Sequence, residues 1–177
     1  MKPLLLVTVI AVLALTAAAC SAEQETGAAE AGGDAEAVVD HVADGDTLEL
    51  ENGDRVRLLQ IDATELGEGE CYAEEAKAEL EELAPAGTRI RLEADPDLDQ
   101  VDDFGRLLRY VHSGERNVNL ELVRRGAATA YFFHGDRGRY ADELEAATEA
   151  ARDAARGMWG ECRVEWNPTL GPTAEPR

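Results

Sequence analysis

Residues 44–65 read DGDTLELENGDRVRLLQIDATE, and their reading decides the fold. Asp46-Thr47-Leu48-Glu49-Leu50 alternates polar and apolar side chains, as a strand with one buried face does. Asn52-Gly53 follows, a strong hairpin signal because both residues accept the positive φ of a tight turn. The return strand runs from Arg55 to Ile61. A two-residue turn at Asn52-Gly53 predicts Asp46 opposite Leu59, with Asp46 and Asp62 at the same end of a two-stranded ribbon.

Outward from this hairpin the chain supplies more strands and helices. Upstream, residues 37–42 (AVVDHV) are strand-like and Asp44-Gly45 makes the turn. Downstream, Tyr72, Ala76, Leu80 and Leu83 share one face of a helix that Pro85-Ala86-Gly87 ends. Thr88 to Ala94 alternates, with Ile90 and Leu92 on one side and Arg89, Arg91 and Glu93 on the other. An acidic loop, residues 95–103, leads through Phe104-Gly105-Arg106 into a strand from Leu107 to His112. Asn117 caps a short helix that stops at Gly126. Tyr140, Leu144, Ala147, Ala151 and Ala154 stripe a third helix. Five strands, with one helix after the third and two after the fifth, predict an α+β fold: a five-stranded OB-type barrel with three packing helices.

The ends of the chain read differently. Residues 1–20, MKPLLLVTVIAVLALTAAAC, have one Lys and an apolar run ending in small residues, the pattern of an export signal. A membrane anchor is the competing reading, but such a run barely spans a bilayer. Cys20 after Ala17-Ala18-Ala19 resembles a bacterial lipoprotein processing site, so Cys20 is the expected lipidated residue, with plain cleavage after Ala19 as the alternative. Residues 21–36 carry no large apolar side chain and are expected to be a flexible acidic spacer. The Pro-containing tail, residues 163–177, is expected to be largely unstructured.

Seventeen basic and 37 acidic residues give a net charge of -20, which excludes a histone-like binder and a basic membrane-surface protein. Any polyanion must then be held by local positive sites. In an exported domain Cys71 and Cys162 are expected to form a disulfide, with two separate thiols as the alternative.

Asp46, Asp62 and Glu65 sit where strands give way to loops, beside Arg57 and with Arg106 at the head of a later strand. Two converging carboxylates suit a hard cation such as Ca2+. A third carboxylate can orient or deprotonate a water, and arginines can clamp a phosphoryl group as its charge grows. Alternation does not bring all these side chains to one face, so the reading requires a bulge near the strand ends. The competing reading is solvated surface charge. His41, His112 and His134 show no metal or triad spacing and are expected at the surface or an edge. Tyr131-Phe132-Phe133 either stacks on a base or packs in the core.

Several stretches recur in a fixed order: Asp44-Gly45-Asp46-Thr47, Arg57 through Glu65, Cys71-Tyr72-Ala73-Glu74-Glu75-Ala76, Phe104-Gly105-Arg106-Leu107-Leu108-Arg109-Tyr110-Val111, Asn117-Val118, Leu122 through Ala128, and Gly157-Met158-Trp159. Together they make residues 37–162 resemble the thermonuclease family of staphylococcal-nuclease-like domains. The resemblance implies a calcium-dependent nuclease acting on DNA and/or RNA. It implies Asp46, Asp62 and the carbonyl of Ala63 as metal ligands, Glu65 as the residue that positions or activates water, and Arg57 and Arg106 as the phosphate-binding pair. Members of this type leave a 3'-phosphate and a 5'-hydroxyl. The chain departs from the pattern at Thr64, where proline is common, at Phe104, where tyrosine is common, and in a shorter hairpin before Arg57. The expected protein is a monomer that touches membrane only through its lipid; the rival expectation is a catalytically silent binding module of the same fold.

Overall fold

A computed structural model describes residues 33–177. The expected export signal, Cys20 and most of the expected spacer lie outside the described residues. Strands β1 (Ala35–Val42), β2 (Thr47–Leu50), β3 (Arg55–Leu58), β5 (Arg89–Glu93) and β6 (Leu107–Ser113) form the barrel. Their order is β3-β2-β1-β5-β6, and β6 returns to pair with β3 in parallel, Val56 opposite Leu107 and Arg57 opposite Leu108. Five strands thus close on themselves in the predicted OB-type barrel. Between β3 and β5 lie the short β4 (Ile61–Asp62) and helix α1 (Ala73–Leu83). After β6 come β7 (Arg116–Asn117), α2 (Val118–Arg125), β8 (Thr129–Ala130), α3 (Ala141–Asp153) and the single-turn α4 (Met158–Glu161). Leu48, Val56, Leu58, Ile90, Leu92 and Val111 fill the barrel, and Leu80, Leu122 and Leu144 bring the helices onto it. The acid-rich face of α1 is solvated, as its Glu74 and Glu75 require.

Sequence expectation and structure agree closely at α2. The Asn117 side chain accepts from the Leu120 N–H at 3.0 Å, and Gly126 ends the helix in the left-handed conformation.

Four expectations are corrected. First, the hairpin loop has three residues, Glu51, Asn52 and Gly53, because the Leu50 N–H reaches the Asp54 carbonyl at 2.9 Å and Gly53 takes φ +87°. Asp46 therefore lies opposite Leu58, not Leu59, and the Leu58 N–H donates to its carbonyl at 2.8 Å. Second, no bulge re-aims the end of this ribbon. Residues 55–61 instead break at Leu59-Gln60, where Gln60 takes φ +59° and turns the chain from β3 into β4. Third, β1 starts at Ala35, inside the expected spacer, because Ala35 and Glu36 pair with Leu92 and Arg91.

The fourth correction concerns the tail. Residues 162–176 form an antiparallel hairpin of β9 (Cys162–Asn167) and β10 (Gly171–Pro176). Cys162, Val164 and Trp166 point inward while Arg163, Glu165 and Asn167 are exposed. A two-stranded sheet consists of edges only, so Pro172 and Pro176 can sit in it without leaving a central ladder incomplete. The Cys71–Cys162 disulfide, with Cα atoms 6.0 Å apart, anchors the hairpin to the start of α1.

Candidate active site

The turn at Gln60 sets the geometry of the site. Its side-chain oxygen accepts from Tyr110 Oη at 3.1 Å and from the Gly138 N–H at 2.9 Å, while its amide donates to the Asp136 carbonyl at 2.7 Å. Asn119, fully buried, donates to the Leu59 carbonyl at 2.9 Å and accepts from the Val111 N–H at 2.9 Å. Both residues of the turn are thereby fixed to the barrel and to α2. The chain leaves it with Asp62 and Ala63 facing the start of β2.

Asp46 and Asp62 converge there on one guanidinium. Arg57 Nη2 lies 3.0 Å from Asp46 Oδ2 and 2.5 Å from Asp62 Oδ1, and its Nη1 donates to the carbonyls of Leu58 and Ile61 at 2.9 and 2.7 Å. Asp46 Oδ2 also accepts from the Ala63 N–H at 2.9 Å, and Thr47 Oγ1 donates to Oδ1 at 3.1 Å. Ala63 is buried and ties the end of β4 to Asp46.

Glu65 and Arg106 line the same open cleft of about 450 Å³. Glu65 is exposed, at the entry to a single 3-10 turn (Leu66–Glu68), and its backbone N–H donates to Glu70 Oε2 at 2.8 Å. Arg106 is oriented by Asp102, whose Oδ2 accepts from Arg106 Nε at 2.6 Å and whose Oδ1 accepts the backbone N–H groups of Phe104 and Arg106, each at 2.9 Å. All five charged residues expected to act together are therefore in one place.

The cleft is short of positive charge. Burial pushes the Asp46 carboxyl up to about 7 against the pull of Arg57, and Asp44 and Asp62 add to the rise. Asp62 is pushed up to about 6, by burial first and then by Glu65 and Glu70 against Arg57. Glu65 is raised by burial and by Asp44. For Arg57, burial opposes the charge, but Asp46 and Asp62 outweigh it and hold the guanidinium protonated. Among the described residues no three carboxylate, imidazole or thiolate side chains already converge on one point. The donor set is nevertheless made of oxygen, and the buried Asp46 and half-buried Asp62 share a single cation, so the residues present fit a hard divalent ion.

Three contributors escaped the sequence reading: Asp44, Asp102 and Leu170. Asp44 lines the cleft and accepts from the Asp46 N–H at 3.1 Å, a two-residue Asx contact that the Asp44-Gly45-Asp46 spacing permits. Asp102 is four residues before the Arg106 that it orients. Of the aromatic triplet, Phe132 packs in the core, while Tyr131 and Phe133 on either side of it line the cleft. Leu170, from the hairpin, also lines it. His112 departs from its expected surface position: it is buried, with Nε2 2.6 Å from Glu93. His41 and His134 are exposed.

A closed five-stranded barrel with an acidic, arginine-bridged cleft at its strand ends defines a class of small OB-type domains. Comparison with known proteins makes this specific: residues 55–161 match the family model described as staphylococcal nuclease homologue, and the chain belongs to that family. It is 31% identical over 155 residues to endonuclease YhcR of Bacillus subtilis, covering 78% of this chain and 12% of that protein. It is 30% identical over 128 residues to the SPbeta prophage-derived endonuclease YokF of Bacillus subtilis, covering 68% and 43%. It is 28% identical over 128 residues to the thermonuclease of Staphylococcus intermedius, covering 69% and 74%. The chain thus spans less than half the length of either Bacillus protein. Nucleases of this family generally use a divalent metal.

Proposed function

We propose that the protein is an exported, calcium-dependent nuclease that hydrolyses phosphodiester bonds of DNA and/or RNA by attack of water. The observation that carries this reading is Arg57 bridging Asp46 and Asp62 in the cleft that Glu65 and Arg106 also line. Asp46, Asp62 and the Ala63 carbonyl would hold Ca2+. When bound, the ion offsets carboxylate charge and polarises the phosphoryl group. Arg57 would donate to a phosphoryl oxygen. Arg106, held in place by Asp102, donates to a second one. Two preorganised guanidinium groups stabilise the charge that builds on phosphorus-bound oxygens in the transition state. Glu65 accepts a hydrogen bond from the attacking water and takes up its proton. Its raised pKa suits this role, because burial and the neighbouring Asp44 make the carboxylate a better proton acceptor than an ordinary surface glutamate. The products are a 3'-phosphate and a 5'-hydroxyl.

Tyr131, Phe133 and the exposed Phe104 supply apolar faces beside the charged centre, which suits a substrate with bases to stack. Residues 101–140 hold seven arginines and five acidic residues, against the strongly negative remainder of the chain. The protein acts as a monomer, carried on the outer face of the cell membrane by a lipid on Cys20. Cleavage of single- and double-stranded DNA and of RNA, with Ca2+ and with chelator, tests the activity. Cleavage that persists in chelator, or binding without any cleavage, overturns the calcium-dependent nuclease; the second outcome is that of a silent module. Cys20→Ser should move the protein from the membrane fraction to the medium, and unchanged partitioning would remove the lipid anchor.

A further inference from the structure

The C-terminal hairpin lies beyond residues 55–161, the part that matches the family, yet it reaches the centre of the cleft. Several ties hold it there. Cys162 is bonded to Cys71, the Cys71 N–H donates to the Ala174 carbonyl at 3.1 Å, the Phe132 N–H donates to the Pro168 carbonyl at 2.6 Å, and Trp166 Nε1 donates to the Ala130 carbonyl at 2.8 Å. Phe132 and Ala130 flank Tyr131, so the hairpin is fixed to the strand that forms one side of the site.

Its tip delivers two adjacent residues. Gly171, at φ +82°, presents bare backbone to the Asp62 carboxylate so closely that an added methyl group would overlap Oδ2 and approach Cγ to 3.1 Å. The other oxygen of that carboxylate is the one paired with Arg57. Asp62 is therefore held between a guanidinium on one side and a backbone without a Cβ on the other. Next to Gly171, Leu170 is 79% exposed and lines the cleft. The large apolar residues exposed among those described are Val101, Phe104, Phe133 and Leu170, and all four border this one cleft. Such a concentration around a charged centre marks a binding surface rather than chance exposure.

We propose that the hairpin tip is a wall of the site. Gly171 is a positioning residue that seats Asp62 against Arg57, and Leu170 gives an apolar contact to a nucleoside of the bound strand. The Leu170 part rests on the nuclease reading above. A carboxylate that must share an ion needs its rotation restricted, and a neighbour that a single methyl would convert into a clash supplies that restriction.

The test compares two alanine substitutions in the full chain. Gly53, at φ +87°, has nothing within 4 Å of an added Cβ, so Gly53→Ala carries the same kind of backbone strain as Gly171→Ala without touching Asp62. Calorimetric titration with Ca2+ alone should show Gly171→Ala weakening ion binding by about tenfold or more, and Gly53→Ala by less than about twofold. In chelator, where cleavage is suppressed, Leu170→Ala should weaken binding of a labelled oligothymidylate by about threefold to tenfold. Equal Ca2+ affinity in the two glycine variants overturns the proposal. Should Gly171→Ala not fold, unchanged oligonucleotide affinity in Leu170→Ala overturns it instead. A wild-type chain that binds Ca2+ and loses it in Gly171→Ala, but cleaves no nucleic acid, sinks the nuclease reading and leaves the positioning role standing. A wild-type chain that binds no Ca2+ sinks both.

Discussion

The carboxylates around Glu93 and those around Arg57 are built on opposite terms. Glu93, 4% exposed, accepts from His112 Nε2 at 2.6 Å, from Tyr140 Oη at 3.2 Å, from Arg91 Nη1 at 3.4 Å and from Arg139. Burial pushes Glu93 up, but the hydrogen bonds from His112, Tyr140 and Arg139 outweigh it and hold it below its usual range. One carboxylate has more donors than it needs. In the cleft, Asp46 and Asp62 divide one Arg57, with Asp44, Glu65 and Glu70 adding repulsion, and both carboxyls are raised. The first cluster is complete as it stands, which is what stability asks of a buried ion. The second is left short of positive charge, as the proposed ion site requires.

The contrast can be broken most directly at Arg57. Arg57→Ala should lower single-turnover cleavage by about 100-fold or more, as loss of a preorganised transition-state donor does. A rate within a few-fold of the wild type would mean that the bridging arginine only balances charge. At the complete cluster the expected damage is to stability instead. Glu93→Gln should cost about 1.5 kcal/mol, the worth of a hydrogen bond to a charged group, seen as a lower urea midpoint with cleavage unchanged. The sign with pH follows from the depressed pKa. The stabilisation by Glu93 is present above its ordinary 4.5 and is lost as pH falls through the lower folded value, so the gap between variant and wild type should close in acid.

Asp46 reverses that sign. Its carboxyl is raised from 3.8 to about 7, so ionisation costs the metal-free fold stability progressively as pH climbs between those values. Asp46→Asn should therefore be more stable than the wild type in chelator at pH 8, by about 1 kcal/mol, with the advantage shrinking toward pH 4. Equal or lower stability at pH 8 would place Asp46 in the same category as Glu93. The smallest effect is expected at Thr64, whose hydroxyl is buried without a partner. Thr64→Pro removes that hydroxyl and restricts the loop before Glu65, so it should preserve or raise the cleavage rate and add about 0.5 kcal/mol of stability. A falling rate would show that the loop needs its freedom.

The barrel was legible because its signals are local: alternation in β5, the Asn117 cap and Gly126 stop of α2, and a turn at Asn52-Gly53. The register of that turn was not, because a two-residue and a three-residue loop share the same Asn-Gly text and differ only in which pair closes them. The convergence of Asp46, Asp62 and Arg57 followed from the hairpin, but the device that achieves it, positive φ at Gln60, leaves no mark in a glutamine. In the tail the prolines argue against a ladder, while the stronger sign is the alternation of Cys162, Val164 and Trp166 ahead of a turn ending in Gly171. Short β4 and β8 carry too few residues for any periodicity to appear. Nothing local marks His112 as buried, because the carboxylate that pairs with it, Glu93, is on another strand.

Closure of the barrel by parallel pairing of β3 with β6 bears on when the cleft comes into being. Arg57 is delivered by β3 and Arg106 by the turn that leads into β6, and between them the chain must first complete α1 and β5. The entropy of closing that long loop is spent before the pairing returns anything, so this contact belongs late in folding. A chain with its hairpin formed and β6 still undocked would hold Asp46 near Arg57 but lack both the second guanidinium and the Tyr110 and Asn119 contacts that fix the turn before Asp62. Regain of cleavage during refolding should then lag behind regain of secondary structure, making the enzyme silent for as long as the chain is unfinished.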